Sequence, residues 1–130
     1  MMKAVVLQSI IRGPLSKEML QNYAHASLDF NPIHLDDSFA QKAGFPSVIA
    51  HGMLSMAFMG DFILLNFPRD AYRVKTFSCR FKKVVFPGDT LTVNGQIKQE
   101  GSDSITLQVS VSNQKNEITS QGEAIIEILS

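Results

Sequence analysis

The chain has 130 residues, 45% of them hydrophobic, a length and composition typical of one domain with a single buried core. Its 12 Lys and Arg residues balance 12 Asp and Glu residues, and the charges are scattered rather than gathered in a basic block. This pattern argues against nucleic acid as a partner. The single cysteine, Cys79, cannot form an intramolecular disulfide, so we expect a reducing, cytoplasmic location.

Two apolar stretches can be considered as a signal peptide and as a membrane span. Residues 1–12 lack the successive charged, apolar and small-residue zones of a signal peptide, so we expect no export. Residues 48–67 approach the length of a membrane span, but they contain His51, Asp61 and Asn66 and lack flanking positive charge. We interpret this stretch as a buried helix and expect no membrane partner.

The chain begins with a predicted strand and a predicted helix. Residues 4–11 are rich in Val, Ile and Leu, and the turn residues Gly13 and Pro14 follow them, which predicts a first strand. Ser16 is a typical cap for a helix that runs to about Ser27.

Two more helices are expected before residue 67. Asp36 and Asp37 begin a short helix that Gly44 closes. Residues 52–65 are apolar on nearly every side, which predicts a helix surrounded by protein. At 1.5 Å per residue this helix would be roughly 20 Å long, enough to cross a small sheet.

The second half of the sequence alternates apolar and polar residues in the manner of strands. The alternating segments are residues 72–86, 90–99, 104–113 and 117–129. Their short, turn-rich links favour antiparallel neighbours. The predicted fold is therefore α+β, with a curved antiparallel sheet of about five strands wrapped around one long buried helix. Apolar residues within the last two segments suggest that both sheet faces are covered, so we also expect a homodimer.

Asp29 and His34 flank a turn that could carry chemistry. Pro32 stiffens this turn, so a carboxylate and an imidazole can be held close together. Such a pair can bind one water molecule and move its protons. A simpler interpretation also fits, in which Asp29 caps a turn and His34 is a hydrogen-bonded, half-buried histidine.

Gly52 stands where the long apolar helix is predicted to begin. A helix N-terminus presents unpaired N–H groups and the positive end of the helix dipole. Because glycine has no Cβ, a ligand oxygen that gains negative charge could approach these amides closely. A glycine at a helix start is also common where no ligand binds.

These segments together resemble a known family. The Asp-x-Asn-Pro-x-His string at residues 29–34, followed by His-Gly-Met at residues 51–53, resembles the hydratase signature of the MaoC-like dehydratases and (R)-specific enoyl-CoA hydratases, which have the hot-dog fold. Residues 80–91 and 122–124 also resemble later strands of that family, so the resemblance covers nearly the whole chain as a single domain, residues 1–130. Many members carry glycine before the aspartate, whereas this chain has Leu28.

The resemblance implies a role for each matching residue. Asp29 and His34 would be the catalytic pair, and the Gly52 N–H would receive the thioester oxygen of the substrate. Asn31 would fix the loop, and His51 would line the entrance to the helix. The implied reaction is the reversible addition of water to trans-2-enoyl-CoA to give (R)-3-hydroxyacyl-CoA, without a metal or redox cofactor.

The substrate side of the site is open to more than one interpretation. We count Met53 as substrate-binding, although it and three neighbours on the same helix fit core packing as well as an acyl tunnel. Arg80, Lys82 and Lys83 could meet the phosphates of coenzyme A or phosphopantetheine, or simply form a solvated strand edge.

Three other functions remain compatible with the sequence. The first is a 3-hydroxyacyl-carrier-protein dehydratase, which would use the same residues on a different acyl carrier. The second is a thioesterase on the same fold. The third is a non-catalytic domain that only binds acyl thioesters.

Overall fold

The computed structural model describes residues 6–130. Within them the chain forms three α-helices and five strands, with one 3₁₀ turn at Pro32–His34 between the first two helices. The helices are α1 (Lys17–Ser27), α2 (Asp37–Lys42) and α3 (Gly52–Asn66). The strands are β1 (Ile10–Arg12), β2 (Tyr72–Phe81), β3 (Leu91–Glu100), β4 (Ser104–Ser112) and β5 (Ile118–Ile128).

The five strands form one antiparallel sheet in the order β1-β3-β4-β5-β2, and α3 packs across one of its faces. The predicted α+β class and five-stranded sheet are confirmed. Gly95 of β3 shows how closely helix and sheet approach each other. A Cβ there would lie 2.6 Å from the ring of Phe62 on α3, so only glycine leaves room for the crossing.

Two strands are shorter than predicted. The prediction of a strand over residues 4–11 is wrong for residues 6–9, because the Gln8 N–H instead bonds to the Asn66 side chain at the end of α3. Residues 4 and 5 lie outside the described residues. At the other edge β2 ends at Phe81, and the N–H groups of Lys82 and Lys83 both donate to the Thr119 carbonyl. This shared acceptor breaks the regular ladder, so residues 82–86 leave the sheet.

The face of the sheet that points away from α3 is polar on β4. The side chains of this strand alternate strictly between buried and half-buried, and the half-buried ones are Ser104, Thr106, Gln108, Ser110 and Ser112. The expectation that apolar residues point to both faces is therefore wrong for β4. On β5, two large apolar side chains lie on this face: Ile125, which pairs with Thr106, and Ile118, which pairs with Ser112.

The long apolar helix is present as predicted, with 15 residues from Gly52 to Asn66. The expectation that protein surrounds it is not met within one chain. One side of α3 is exposed, and its side chains recur at helical spacing: Met53, Ala57, Asp61 and Leu64. None of the helices in the described part of the chain has the length and apolarity needed to span a membrane.

Candidate active site

The turn after α1 brings Asp29 and His34 together. Leu28 ends the helix in the left-handed conformation, with φ 61°. Asn31 then caps the 3₁₀ turn: its Oδ1 accepts the N–H of Ile33 at 3.1 Å, and its own N–H donates to Asp29 Oδ1 at 3.3 Å. These local bonds fix the loop from which both side chains project.

His34 is held in one tautomer by the backbone. Its Nδ1 lies 2.7 Å from the carbonyl oxygen of Ile49, and a carbonyl only accepts, so Nδ1 carries the hydrogen. In the neutral ring Nε2 therefore presents a lone pair, and it faces Asp29 Oδ2 at 3.9 Å. This separation is too long for a direct hydrogen bond and suits one water molecule that contacts both groups.

Residues 48–50, which we call the strap, connect His34 to the start of α3. Both backbone groups of Ile49 are used, because its N–H donates to the Ile33 carbonyl at 3.1 Å and its carbonyl accepts from His34. The same short segment therefore fixes the backbone before His34 and the orientation of its ring.

The two ends of the strap are tied to different elements. The N–H of Val48 donates to Asp37 Oδ1 at 3.0 Å, and the N–H of Ala50 donates to the Val85 carbonyl at 2.7 Å. A hydrogen bond from Lys17 and the one from Val48 lower the pKa of Asp37, which keeps this acceptor ionised. Sequence reasoning assigned Asp37 only to a helix start, because nothing local signals a contact with the strap.

His51 lies beneath Asp29 and His34. Its side chain is buried, with 2% of the residue exposed, and its ring stacks on His34 with centroids 3.9 Å apart. Its Nε2 lies 3.0 Å from the backbone carbonyl of Asp29, to which it donates. The ring of Tyr23 meets His51 edge-on, with centroids 4.9 Å apart.

Gly52 is the first residue of α3, and no side chain caps the amides at this helix end. Ser16 and Asp36 cap α1 and α2 with side-chain oxygens, but the cap of α3, His51, makes no such bond. The first turn of α3 also contains no acidic residue. A Cβ on Gly52 would lie 3.0 Å from the Phe81 ring, so the glycine also admits this neighbour.

A cavity of about 290 Å³ opens beside this helix end and is bordered by His34, His51 and Gly52. Phe81 and the backbone turn beyond it form the opposite wall. Three predicted site residues therefore share one cavity, and Asp29 stands next to it against His34. Asn31 and Met53 are not among its lining residues, and Met53 is 55% exposed on the uncovered side of α3.

The donor atoms of Asp29, His34 and His51 lie within 4.8 Å of one another, which raises the question of a metal site. Zinc binds imidazole nitrogen at about 2.0–2.1 Å, with the ion close to the plane of each ring. The two rings here are stacked with centroids 3.9 Å apart and 25° between their planes, so one ion within bonding distance of both would lie well outside the plane of at least one ring. The arrangement favours proton transfer over metal binding.

The buried His51 gives the fold a dependence on pH. Burial, above all, and the neighbouring His34 lower the pKa of His51 below its usual 6.5, although bonding to Asp29 opposes this. The unfolded chain therefore binds more protons than the folded chain at and below pH 6.5, and stability falls as the pH drops through this range. We expect chemical unfolding to show a weaker acid destabilisation in His51→Gln than in the wild type, and an unchanged one in the exposed-histidine control His25→Gln. Parallel pH curves for wild type and His51→Gln would contradict this assignment.

Comparison with known proteins shows the family to which the chain belongs. The family model described as MaoC like domain matches residues 6–121. The chain belongs to the MaoC-like domain family, and its fold is the hot-dog fold. It is 31% identical over 108 residues to the (R)-specific enoyl-CoA hydratase of Aeromonas caviae, a match that covers 82% of this chain and 81% of that protein.

The structural comparison covers nearly the whole chain. The unliganded R-hydratase from Pseudomonas aeruginosa matches 95% of this chain and 81% of its own, with 30% identity and a TM-score of 0.83. Other curated relatives are far longer than this chain. It is 36% identical over 109 residues to fatty acid synthase 2 of Mycosarcoma maydis, a match to 78% of this chain and only 3% of that protein.

Proposed function

We propose that this chain catalyses the reversible addition of water to a trans-2-enoyl-CoA thioester, giving the (R)-3-hydroxyacyl-CoA. The observation that carries the proposal is the facing pair, His34 Nε2 and Asp29 Oδ2 at 3.9 Å, beside the N-terminus of α3, which no side chain caps. The relationship to the Aeromonas caviae hydratase supports the substrate class and the stereochemistry.

The catalytic pair acts on one water molecule. The lone pair of His34 Nε2 accepts a proton from the water, while Asp29 Oδ2 accepts a hydrogen bond from its second O–H. As the O–H bond breaks, the water oxygen forms a bond to C3 of the enoyl group. The π electrons of the double bond move toward the thioester oxygen, and the imidazolium of His34 then returns its proton to C2.

The start of α3 stabilises the charge that this reaction creates. The thioester oxygen gains enolate character when water adds at C3, and the Gly52 N–H can donate to it. The dipole of the 15-residue helix adds positive potential at the same point. This stabilisation grows in the transition state, which is what lowers the barrier.

A hydration assay tests the function. With crotonyl-, hexenoyl- and decenoyl-CoA, we expect the absorbance of the conjugated enoyl thioester to fall, and we expect the rates to rank the chain lengths. Release of free thiol instead would indicate a thioesterase. Tight binding without any absorbance change would indicate a non-catalytic binder, and either result would overturn the proposal.

A dehydratase acting on acyl carrier protein is a second candidate, and the similarity to fatty acid synthase 2 favours it. The same pair would then remove water from a 3-hydroxyacyl group. Comparing one acyl chain presented on coenzyme A and on a carrier protein separates the two, because the better carrier gives the higher kcat/KM.

We further propose that the chain works as a homodimer in the cytoplasm. β2 is an edge strand of ten residues, so one side of its backbone is open to pairing, and Val74 on it is 42% exposed. The uncovered side of α3 offers more apolar surface. Each partner in a stable dimer buries about 800 Å², and we expect β2 and the uncovered side of α3 to provide this area.

The expected result of sedimentation at micromolar concentration is a dimer. Replacing Val74 with Lys should weaken the association, because the substitution adds a charge to the open edge. Lys98→Arg, which keeps a charge on the polar sheet face, is the control. A fully active monomer would contradict the proposal.

A further inference from the structure

We infer that His51 is a positioning residue: its buried ring holds Asp29 and His34 in fixed positions relative to each other. In this interpretation His51 is not part of the substrate-binding surface. The inference rests on the proposed function, because it assigns the pair its chemistry.

The ring of His51 contacts the two catalytic residues in different ways. Its Nε2–H bonds to the backbone carbonyl of Asp29 at 3.0 Å and so fixes the point from which the carboxylate projects. Its face stacks on His34 with centroids 3.9 Å apart and so limits the tilt of that ring. Asp29 and His51 are 22 residues apart in sequence, and this one side chain joins them directly.

The other nitrogen of His51 shows that the ring is held as a neutral donor. Nδ1 is buried and has no hydrogen-bond partner among the described residues. A proton there would have no acceptor, and the resulting charge would lie beside His34 and at the positive end of α3. The neutral ring with hydrogen on Nε2 is the form that satisfies the bond to Asp29.

The surrounding charges are consistent with this form. The Asp29 carboxylate favours a protonated ring, while the burial of His51 opposes one. Tyr23 meets the ring with its aromatic edge, and the ammonium groups of Lys82 and Lys83, which border the same cavity, are bonded to Gln121 and Glu117. Burial, together with the neighbouring His34, outweighs the hydrogen bond and the carboxylate of Asp29 and lowers the pKa of His51.

Two substitutions separate the two contacts. His51→Gln places an amide N–H near the position of Nε2, so it keeps a donor for Asp29 and loses the stack. His51→Phe keeps a flat ring against His34 and loses the donor. Because misplacing reacting groups by about 1 Å can lower the reaction rate roughly 100-fold, we expect the loss of positioning to lower kcat.

Steady-state kinetics with crotonyl-CoA decide between positioning and substrate contact. We expect His51→Phe to lower kcat by roughly 10–100-fold with KM within about 2-fold, and His51→Gln to recover part of the loss. His25→Gln, at an exposed position, should match the wild type. A raised KM with unchanged kcat in both variants would show a substrate-lining role and overturn the inference, as would wild-type kinetics in both.

A measurement without substrate tests the role of His51 independently of the proposed function. In ¹⁵N spectra of the imidazole groups, His51 should be mainly neutral with hydrogen on Nε2 at pH 6.5, where an ordinary histidine is half protonated. A His51 that is half protonated at this pH, or that carries its hydrogen on Nδ1, would overturn the inference whatever the activity. An inactive wild type with the expected spectrum would instead refute only the proposed function.

Discussion

Asp29→Asn is expected to lower kcat for enoyl-CoA hydration by roughly 10²–10⁴-fold with the fold intact. The carboxylate is 52% exposed and faces His34, and its other oxygen makes only a local bond to Asn31. The change therefore removes charge from the water-binding pair without opening a cavity. His34→Ala should lower kcat by a similar factor, because it removes the nitrogen that accepts the proton.

The double variant tests whether the pair acts as a unit. If Asp29 and His34 hold one water molecule between them, the second substitution has little left to remove, and the double variant should be about as active as the poorer single variant. Asp70→Asn, at an exposed carboxylate in the turn before β2, controls for loss of charge. Multiplicative losses would indicate separate roles, and near-normal kcat in a folded single variant would remove that residue from the mechanism.

Gly52→Val is expected to lower turnover by roughly 10²-fold or more, about the cost of losing one oxyanion donor. A Cβ at this position lies 3.0 Å from the Phe81 ring, so the valine must displace that ring, which lines the same cavity as Gly52. We expect the valine and the displaced ring to obstruct the approach of the thioester oxygen to the Gly52 N–H. Circular dichroism should still show the sheet signal, since the substitution lies at the first residue of α3, outside the strands.

The same helix supplies a matched control. A Cβ on Gly60 meets nothing within 4 Å, so Gly60→Val tests the effect of valine in α3 without any obstruction. We expect Gly60→Val to keep most of its activity. If Phe81→Ala restored turnover to Gly52→Val, displacement of the ring would explain the loss. An active Gly52→Val would refute the oxyanion assignment.

Local patterns in the sequence predicted the elements that short-range forces determine. The Ser16 cap, the cap at Asp36 and the continuous apolar run from Gly52 appear in the structure at the expected residues. The alternation in residues 104–113 gave β4 to within one residue of its observed end at Ser112. The resemblance added the pairing of Asp29 with His34, which spacing alone left open.

Contacts between distant segments could not be predicted. The bond from Val48 to Asp37 spans 11 residues, and the packing of Phe81 on Gly52 spans 29, with no local signal for either. His51 stands at the start of α3 and borders the cavity, where it was expected, but no local signal predicted its burial or its stacking on His34. Only the folded chain shows which side chains meet there.

Leu28, which stands where many members of the family have glycine, has an unusual backbone conformation in this structure. Its φ of 61° is in the left-handed region, where a side chain with a Cβ costs roughly 1–2 kcal/mol and glycine costs little. The backbone before Asp29 thus keeps a conformation that favours glycine, although the residue is leucine. Leu28 therefore places strain in the loop, and the Asp29 carboxylate that follows it lies 3.9 Å from His34.

The strap at residues 48–50 also determines how the site can open. Its three N–H groups donate to α2, to the 3₁₀ turn and to the segment after β2, so the strap cannot move as a unit without breaking its bonds to all three. We expect the amide hydrogens of Val48, Ile49 and Ala50 to exchange slowly with solvent, because their exchange requires these bonds to open.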